Sequence, residues 1–139
     1  MPQPLSAPDS ARRPWGVWVI AVVVLAEAAL MLGAGIYFLI NLFVSQAGSM
    51  AAAVFLTVIC LGLGAGLVAV GMQGARGFRW TRAATLVWQL IMLTIAVPLL
   101  IGGLWIGWLG LAGALAVLIL LFTPAVVTFT VRQGGSAAL

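Results

Sequence analysis

The stretch WGVWVIAVVVLAEAALMLGAGIYFLINLFV, residues 15–44, decides the fold. Its only ionisable side chains are Glu27 and Tyr37, and it is longer than the about 20 residues an α-helix needs to cross the hydrocarbon of a bilayer. A transmembrane helix follows, with length to spare for tilt or for extension beyond the membrane. Arg12 and Arg13 precede the run, and Ser45 and Ala47 follow it in the manner of a cleavage site. A secretory apolar region, however, is only about 7 to 15 residues long, so the run reads as a retained anchor.

The same composition continues outward. The chain of 139 residues is 65% hydrophobic and 6% charged, against about half apolar and about a quarter charged in soluble domains. After the short polar segment from Ser45 to Ser49, a second apolar run extends to Met72. Arg76, Arg79 and Arg82 then interrupt the chain, a third run reaches Ile101 through Pro98, and beyond Gly102 and Gly103 a fourth ends at Arg132. The expectation is an all-α integral membrane protein, a four-helix transmembrane bundle over residues 15–132, with helices at about 15–44, 49–73, 81–101 and 104–131. Residues 1–14, rich in proline, and 133–139 read as flexible tails.

Orientation follows from the arginines, because short loops rich in Lys or Arg stay cytoplasmic. Arg12 and Arg13 precede helix one, Arg76, Arg79 and Arg82 join helices two and three, and Arg132 follows helix four. An even number of spans with both termini cytoplasmic satisfies that pattern. Trp15, Trp18 and Trp80 then fall at the cytoplasmic interface and Trp105 and Trp108 at the opposite one, where indoles prefer to sit. All six basic residues are Arg, with no Lys or His among abundant Ala and Gly. Such a composition points to a GC-rich bacterial source and hence to the bacterial plasma membrane.

Two of the usual function classes find no support. The net charge of +4 belongs to residues that flank apolar runs, so it sets topology and offers no nucleic-acid surface. Catalysis lacks its parts: no His is present, the one Asp lies in the N-terminal tail, and Cys60 sits inside an apolar run as a packed thiol. No acid–base pair, metal cluster or cofactor motif can be assembled, and an enzyme is not expected.

Glu27 is the residue that demands a reason. It lies about 13 residues beyond Pro14, near the bilayer centre at ~1.5 Å per residue, where a lipid-facing carboxyl costs about 2.5 kcal/mol or more. It must therefore face the bundle or a partner, protonated or hydrogen-bonded. Helical spacing sets Ala34 and Asn41 on nearly its face, beside Met31, so that face is expected to be buried. Gln89, on a face of helix three with Thr85 and Ala96, is a candidate hydrogen-bond partner. The two readings of Glu27, functional carboxyl or interhelical hydrogen bond, weigh evenly. Tyr37, Thr57, Thr94, Thr123 and Thr128 are expected to be interfacial or bonded to their own helix carbonyls.

Packing between helices in lipid relies on small residues. Gly62, Gly66 and Ala69 recur at helical spacing on helix two, Gly103, Gly107, Gly110 and Ala114 on helix four, and Ala29 and Gly33 on helix one. These stripes either pack the four helices together, the expected role, or form a face for self-association or a partner. Arg76, Arg79 and Arg82 are expected to fix topology, with a grip on anionic headgroups as the alternative reading. Pro98 and Pro124 lie toward helix ends, where a lost backbone bond is tolerated.

Two resemblances follow from short blocks. Val24, Leu25, Ala26 and Glu27, in the first of four helices, resemble the small multidrug resistance transporters, which implies that Glu27 is a carboxylate exchanging protons for cationic drugs. Arg76, Gly77, Phe78, Arg79, Trp80, Thr81 and Arg82, leading into Val87, Trp88, Gln89 and Leu90, look like small, functionally uncharacterised four-helix membrane proteins of actinobacterial type, which implies no activity. The expected function is thus a non-catalytic accessory subunit or assembly factor of a larger membrane complex. The alternative is a small oligomeric proton-coupled transporter using Glu27. The partners implied are the lipid bilayer and either a larger complex or further copies of the chain.

Overall fold

The computed structural model describes residues 13–44 and 49–136, with side chains described as far as Arg132. The expected turn at 45–48 and the tails at 1–12 and 137–139 lie outside the described residues. The described chain is all-α: α1 Trp15–Val44, α2 Met50–Ala75, α3 Arg79–Ile101, α4 Ile106–Leu121 and α5 Pro124–Ser136. α1, α2 and α3 are each long and apolar enough to cross a membrane. In the hydrocarbon of a bilayer every backbone N–H and C=O must be satisfied by the protein itself, which a helix does within a single segment.

The helix ends show why the boundaries fall where they do. α1 starts behind Pro14, whose carbonyl accepts from the Val17 N–H at 3.0 Å. α2 starts at Ser49, whose hydroxyl accepts from the Ala52 N–H at 3.3 Å, the N-capping role for which Ser is preferred. α2 stops in a left-handed turn: Gly77 has φ +87°, with Gly77 N–H bonded to Gly74 O and Phe78 N–H to Gln73 O. α3 stops in the same way at Gly103, φ +77°, with bonds from Gly103 to Leu100 O and from Leu104 to Leu99 O. Both are Schellman closures, in which glycine takes a conformation costly for any side chain. Gly103 is therefore a turn residue; a Cβ there would meet nothing within 4 Å, so it does not belong to the small packing stripe expected of it.

The fourth apolar run departs from expectation. It was expected as one helix over 104–131, but it is divided into α4 and α5, bent by 63° at a short break. Pro124 supplies the reason: its ring has no N–H and clashes with the preceding turn, so the helix ends and a new one starts with proline in its first turn. The Thr123 hydroxyl bonds the Leu120 carbonyl at 2.7 Å, and Arg82 Nη2 reaches the Leu121 carbonyl at 3.2 Å. α5 also continues to Ser136, so residues 133–136 are helical where a tail was expected.

Two antiparallel pairs build the bundle. α1 and α2 pack along their lengths, and their buried residues follow a heptad-like spacing: Val17, Ala21, Val24, Ala28 and Gly35 on α1, and Thr57, Cys60, Gly64, Leu67 and Gly71 on α2. A Cβ at Gly35 would stand 2.7 Å from the Leu61 side chain, one at Gly64 would stand 2.7 Å from Leu32, and one at Gly71 would stand 2.9 Å from Leu25. α3 and α4 form the second pair around Gly107, where an added Cβ would stand 3.0 Å from the Ala96 carbonyl, and Gly110, where it would meet Ala96 at 3.4 Å. The pairs join at a core of Val24, Ala28, Leu67 and Trp88, and α5 closes one end with Val126 and Phe129 against Val17. The start of α1, the end of α2, the start of α3 and the α4–α5 break share that end, shown by the contacts of Gly16 with Val126, Gly74 with Thr81 and Arg82 with Leu121. We call it the arginine end.

Arg82 consequently has a different job from a headgroup contact. It turns inward, half-buried, and places its cation at the C-terminus of α4, where the helix dipole and an orphan carbonyl favour it. Arg82→Gln is expected to cost about 1.5–3 kcal/mol, the range of a hydrogen bond involving a charged group, whereas exposed Arg79→Gln costs under about 0.5 kcal/mol. Thermal unfolding in detergent measures both; equal losses would refute the capping role.

Candidate functional site

Glu27 lies on α1, twelve residues beyond its first residue, and therefore about 18 Å along the helix from the arginine end. Its half-buried side chain crosses to α3. The Trp88 indole N–H donates to Glu27 Oε2 at 2.9 Å and the Gln89 amide nitrogen donates to the same oxygen at 3.0 Å. Two neighbours on one helix can converge on one acceptor because successive residues of a helix stand about 100° apart, so their side chains straddle the point between them. Neither donor is exposed: Trp88 is buried and Gln89 is 0% accessible. A carboxylate oxygen with two N–H donors replaces much of the hydration lost in an apolar interior.

The rest of the site is incompletely paired. Glu27 Oε1 faces α4 at Gly113, 3.9 Å from where a Cβ would stand. Gln89 Oε1 is buried without a hydrogen-bond partner among the described residues. One turn toward the arginine end is a cavity of about 20 Å³, with Thr81, Arg82, Thr85 and Thr130 in its otherwise apolar wall. It has room for about one water.

Of the polar residues singled out in the sequence, the structure brings Glu27 and Gln89 together and leaves Asn41 apart. Asn41 lies fourteen residues further along α1, about 21 Å away, and its side chain donates to the Tyr37 carbonyl of its own helix at 2.8 Å. The expected buried face through Ala34 and Asn41 is displaced, because α1 buries the line Val17, Ala21, Val24, Ala28, Gly35 instead. Glu27 sits beside that line. Thr57, Thr94, Thr123 and Thr128 donate to carbonyls of the preceding turn, as expected.

Trp88 is the site residue that sequence reasoning passed over. A signal was available: of the six tryptophans, the other five fall near helix ends, and a mid-span indole must find a partner for its N–H. The small residues also divide. Gly107 and Gly110 pack α4 on α3, but Gly62, Gly66 and Gly33 meet nothing within 4 Å and lie on exposed faces. They pack no helices within the bundle. Among the described residues no group of His, Cys, Asp and Glu could hold a metal ion.

Comparison with protein-family models, with curated proteins and with solved structures finds no match to this chain.

Proposed function

We propose that this chain is a non-catalytic integral membrane protein that serves as an accessory subunit or assembly factor of a larger membrane complex. The observation that carries the reading is the engagement of Glu27 by Trp88 and Gln89. The sole carboxyl of the spans is used to hold α1 to α3, as an interhelical hydrogen bond within lipid does. A face open to an outside partner is the outer side of α1, where Ala26, Ala29 and Gly33 are exposed and Gly33 has open space beside it.

In this reading α4 and α5 together form a fourth, bent span, and the bundle crosses the bacterial plasma membrane four times. The arginine end is cytoplasmic, following the positive-inside rule. Trp15, Trp18 and Trp80 lie at that interface and Trp105 and Trp108 at the other, all exposed. Arg13 stacks over the Trp18 ring at 5.8 Å.

Purification in mild detergent from native membranes at near-native expression, with stoichiometry read by mass spectrometry, tests the proposal. A larger membrane protein is expected in fixed ratio, and Gly33→Leu is expected to release it while leaving the purified chain folded. A pure homo-oligomer would overturn the reading.

A second reading rests on the unpaired Gln89 Oε1 and on Glu27 Oε1, which accepts no hydrogen bond among the described residues. A small oligomeric proton-coupled transporter would use such an unsaturated carboxyl as its coupling group. Wild-type transport in proteoliposomes, abolished by Glu27→Gln, favours it over the first; no transport excludes it.

A further inference from the structure

The two helix pairs do not close on each other along α2 and α3, which touch only slightly. Between them lies an open groove of about 580 Å³. Its floor and walls are apolar and smooth, with Gly62, Gly66 and Leu63 from α2 facing Ala84, Val87 and Ile91 from α3. Apart from the backbone of α2 itself, no atom of the described residues lies within 4 Å of a Cβ position at Gly62 or Gly66. The one indole N–H in the wall that belongs to a buried residue, that of Trp88, is turned away to Glu27. Away from Trp80 the lining offers almost no polar group, which suits an apolar occupant.

The open end is different. The groove-lining positions of α2 are 62, 63, 66, 67, 69 and 70, and continuing the helical spacing from 66 and 69 through 73 reaches Arg76. Those of α3 run 91, 87, 84, 83 and 80, and the position one turn before 83 is Arg79. Both arginines are exposed and neither forms an ion pair among the described residues, in contrast to Arg82, which is committed to the Leu121 carbonyl. A slot for hydrocarbon thus opens beneath two available guanidinium groups, with Trp80 at its lip.

We infer that this groove binds one anionic phospholipid, an acyl chain lying along Gly62 and Gly66 and the phosphate held by Arg76 and Arg79. Guanidinium groups suit phosphate because their forked donors match its oxygens. A partner helix would fill the apolar slot equally well but would make no use of the two exposed guanidinium groups beside it, which a phosphate does. The acyl chain gains little by leaving other lipid, so selectivity comes from the headgroup, and two basic residues give about a tenfold or greater preference for anionic over zwitterionic lipid. The inference goes beyond the accessory-subunit reading and does not rest on it.

Native mass spectrometry of the full chain in mild detergent, with phosphatidylglycerol and phosphatidylcholine of identical acyl chains in competition, is the test. One phosphatidylglycerol per chain is expected, preferred about tenfold or more. Arg76→Gln with Arg79→Gln is expected to remove the preference, and Gly66→Leu, which fills the slot, to reduce retention of both lipids. Ile119→Ala, exposed on α4 outside the groove, is expected to change neither, and circular dichroism verifies that each variant folds. Equal retention of the two lipids, or a preference that survives the double arginine variant, would overturn the proposal. So would efficient disulfide cross-linking of Gly66→Cys between two copies in phosphatidylglycerol vesicles, since a second chain would then occupy the slot.

Discussion

Replacing Glu27 by leucine is expected to lower the stability of the detergent-solubilised protein by about 2–3 kcal/mol, while Glu27→Gln costs under about 1 kcal/mol. Leucine removes the oxygen that receives both the Trp88 and the Gln89 N–H and leaves two donors unpaired in an apolar interior. Each unpaired buried group costs about 1–3 kcal/mol, although interhelical hydrogen bonds in membranes average only about 0.6 kcal/mol because the unfolded chain in lipid also finds partners. Glutamine retains a carbonyl at the same reach and can accept from both donors. The difference between the two variants therefore isolates hydrogen-bond acceptance from side-chain volume. Denaturation followed by tryptophan fluorescence measures it, and equal losses for Leu and Gln would show that the side chain contributes only packing.

The other large effect lies in the α1–α2 seam. Gly64→Leu is expected to cost about 3 kcal/mol or more, because its Cβ alone would stand 2.7 Å from the Leu32 side chain and 3.1 Å from the Leu32 backbone nitrogen. The side chain of Leu32 can move, but its backbone can yield only if the whole helix shifts, and overpacking of that kind costs about 1–3 kcal/mol even where side chains can adjust. Gly62→Leu, only two residues away, points into the open groove and is expected to cost under about 0.5 kcal/mol. Thermal unfolding of the pair is a direct reading of which face of α2 meets α1. If Gly62→Leu were the more damaging, α2 would be rotated from the arrangement described.

The contrast between Gly62 and Gly64 also shows how far the sequence could be read. Apolar runs, the arginines that separate them and the glycine pair at 102–103 suffice for three helices within a few residues of their observed ends, because continuous apolar runs of this length satisfy their own backbone in lipid only as helices. The rotation of each helix was not legible. Gly62, Gly66 and Ala69 form the familiar small-residue spacing, yet the seam uses Gly64 and Gly71, seven residues apart and filled in by Thr57, Cys60 and Leu67. In a segment apolar on all sides, hydrophobic periodicity carries no information about which face is buried, and small residues on both faces leave two registers open.

The site was legible in part for a related reason. A carboxyl in mid-span has to be satisfied, so Glu27 stood out, and Gln89 was one of few side chains able to satisfy it. Trp88 was hidden by the habit of assigning tryptophan to the interface. Asn41 was placed with Glu27 by helical spacing alone, but near the end of α1 its amide is satisfied by the Tyr37 carbonyl one turn back. The break before Pro124 was underestimated because a proline in a transmembrane helix usually only kinks it. Here Thr123 and Arg82 take up the carbonyls that the break exposes, and the chain turns by 63°.

The central claim is that the carboxyl group of Glu27 holds α1 to α3 through Trp88 and Gln89. The most direct measurement is the set of indole ¹⁵N–¹H resonances of the ¹⁵N-tryptophan-labelled protein in detergent micelles. Trp88→Phe assigns the Trp88 signal, and Glu27→Leu is expected to shift that signal strongly upfield while leaving the interfacial indoles in place. A Trp88 resonance that stays where it was after Glu27→Leu would contradict the claim.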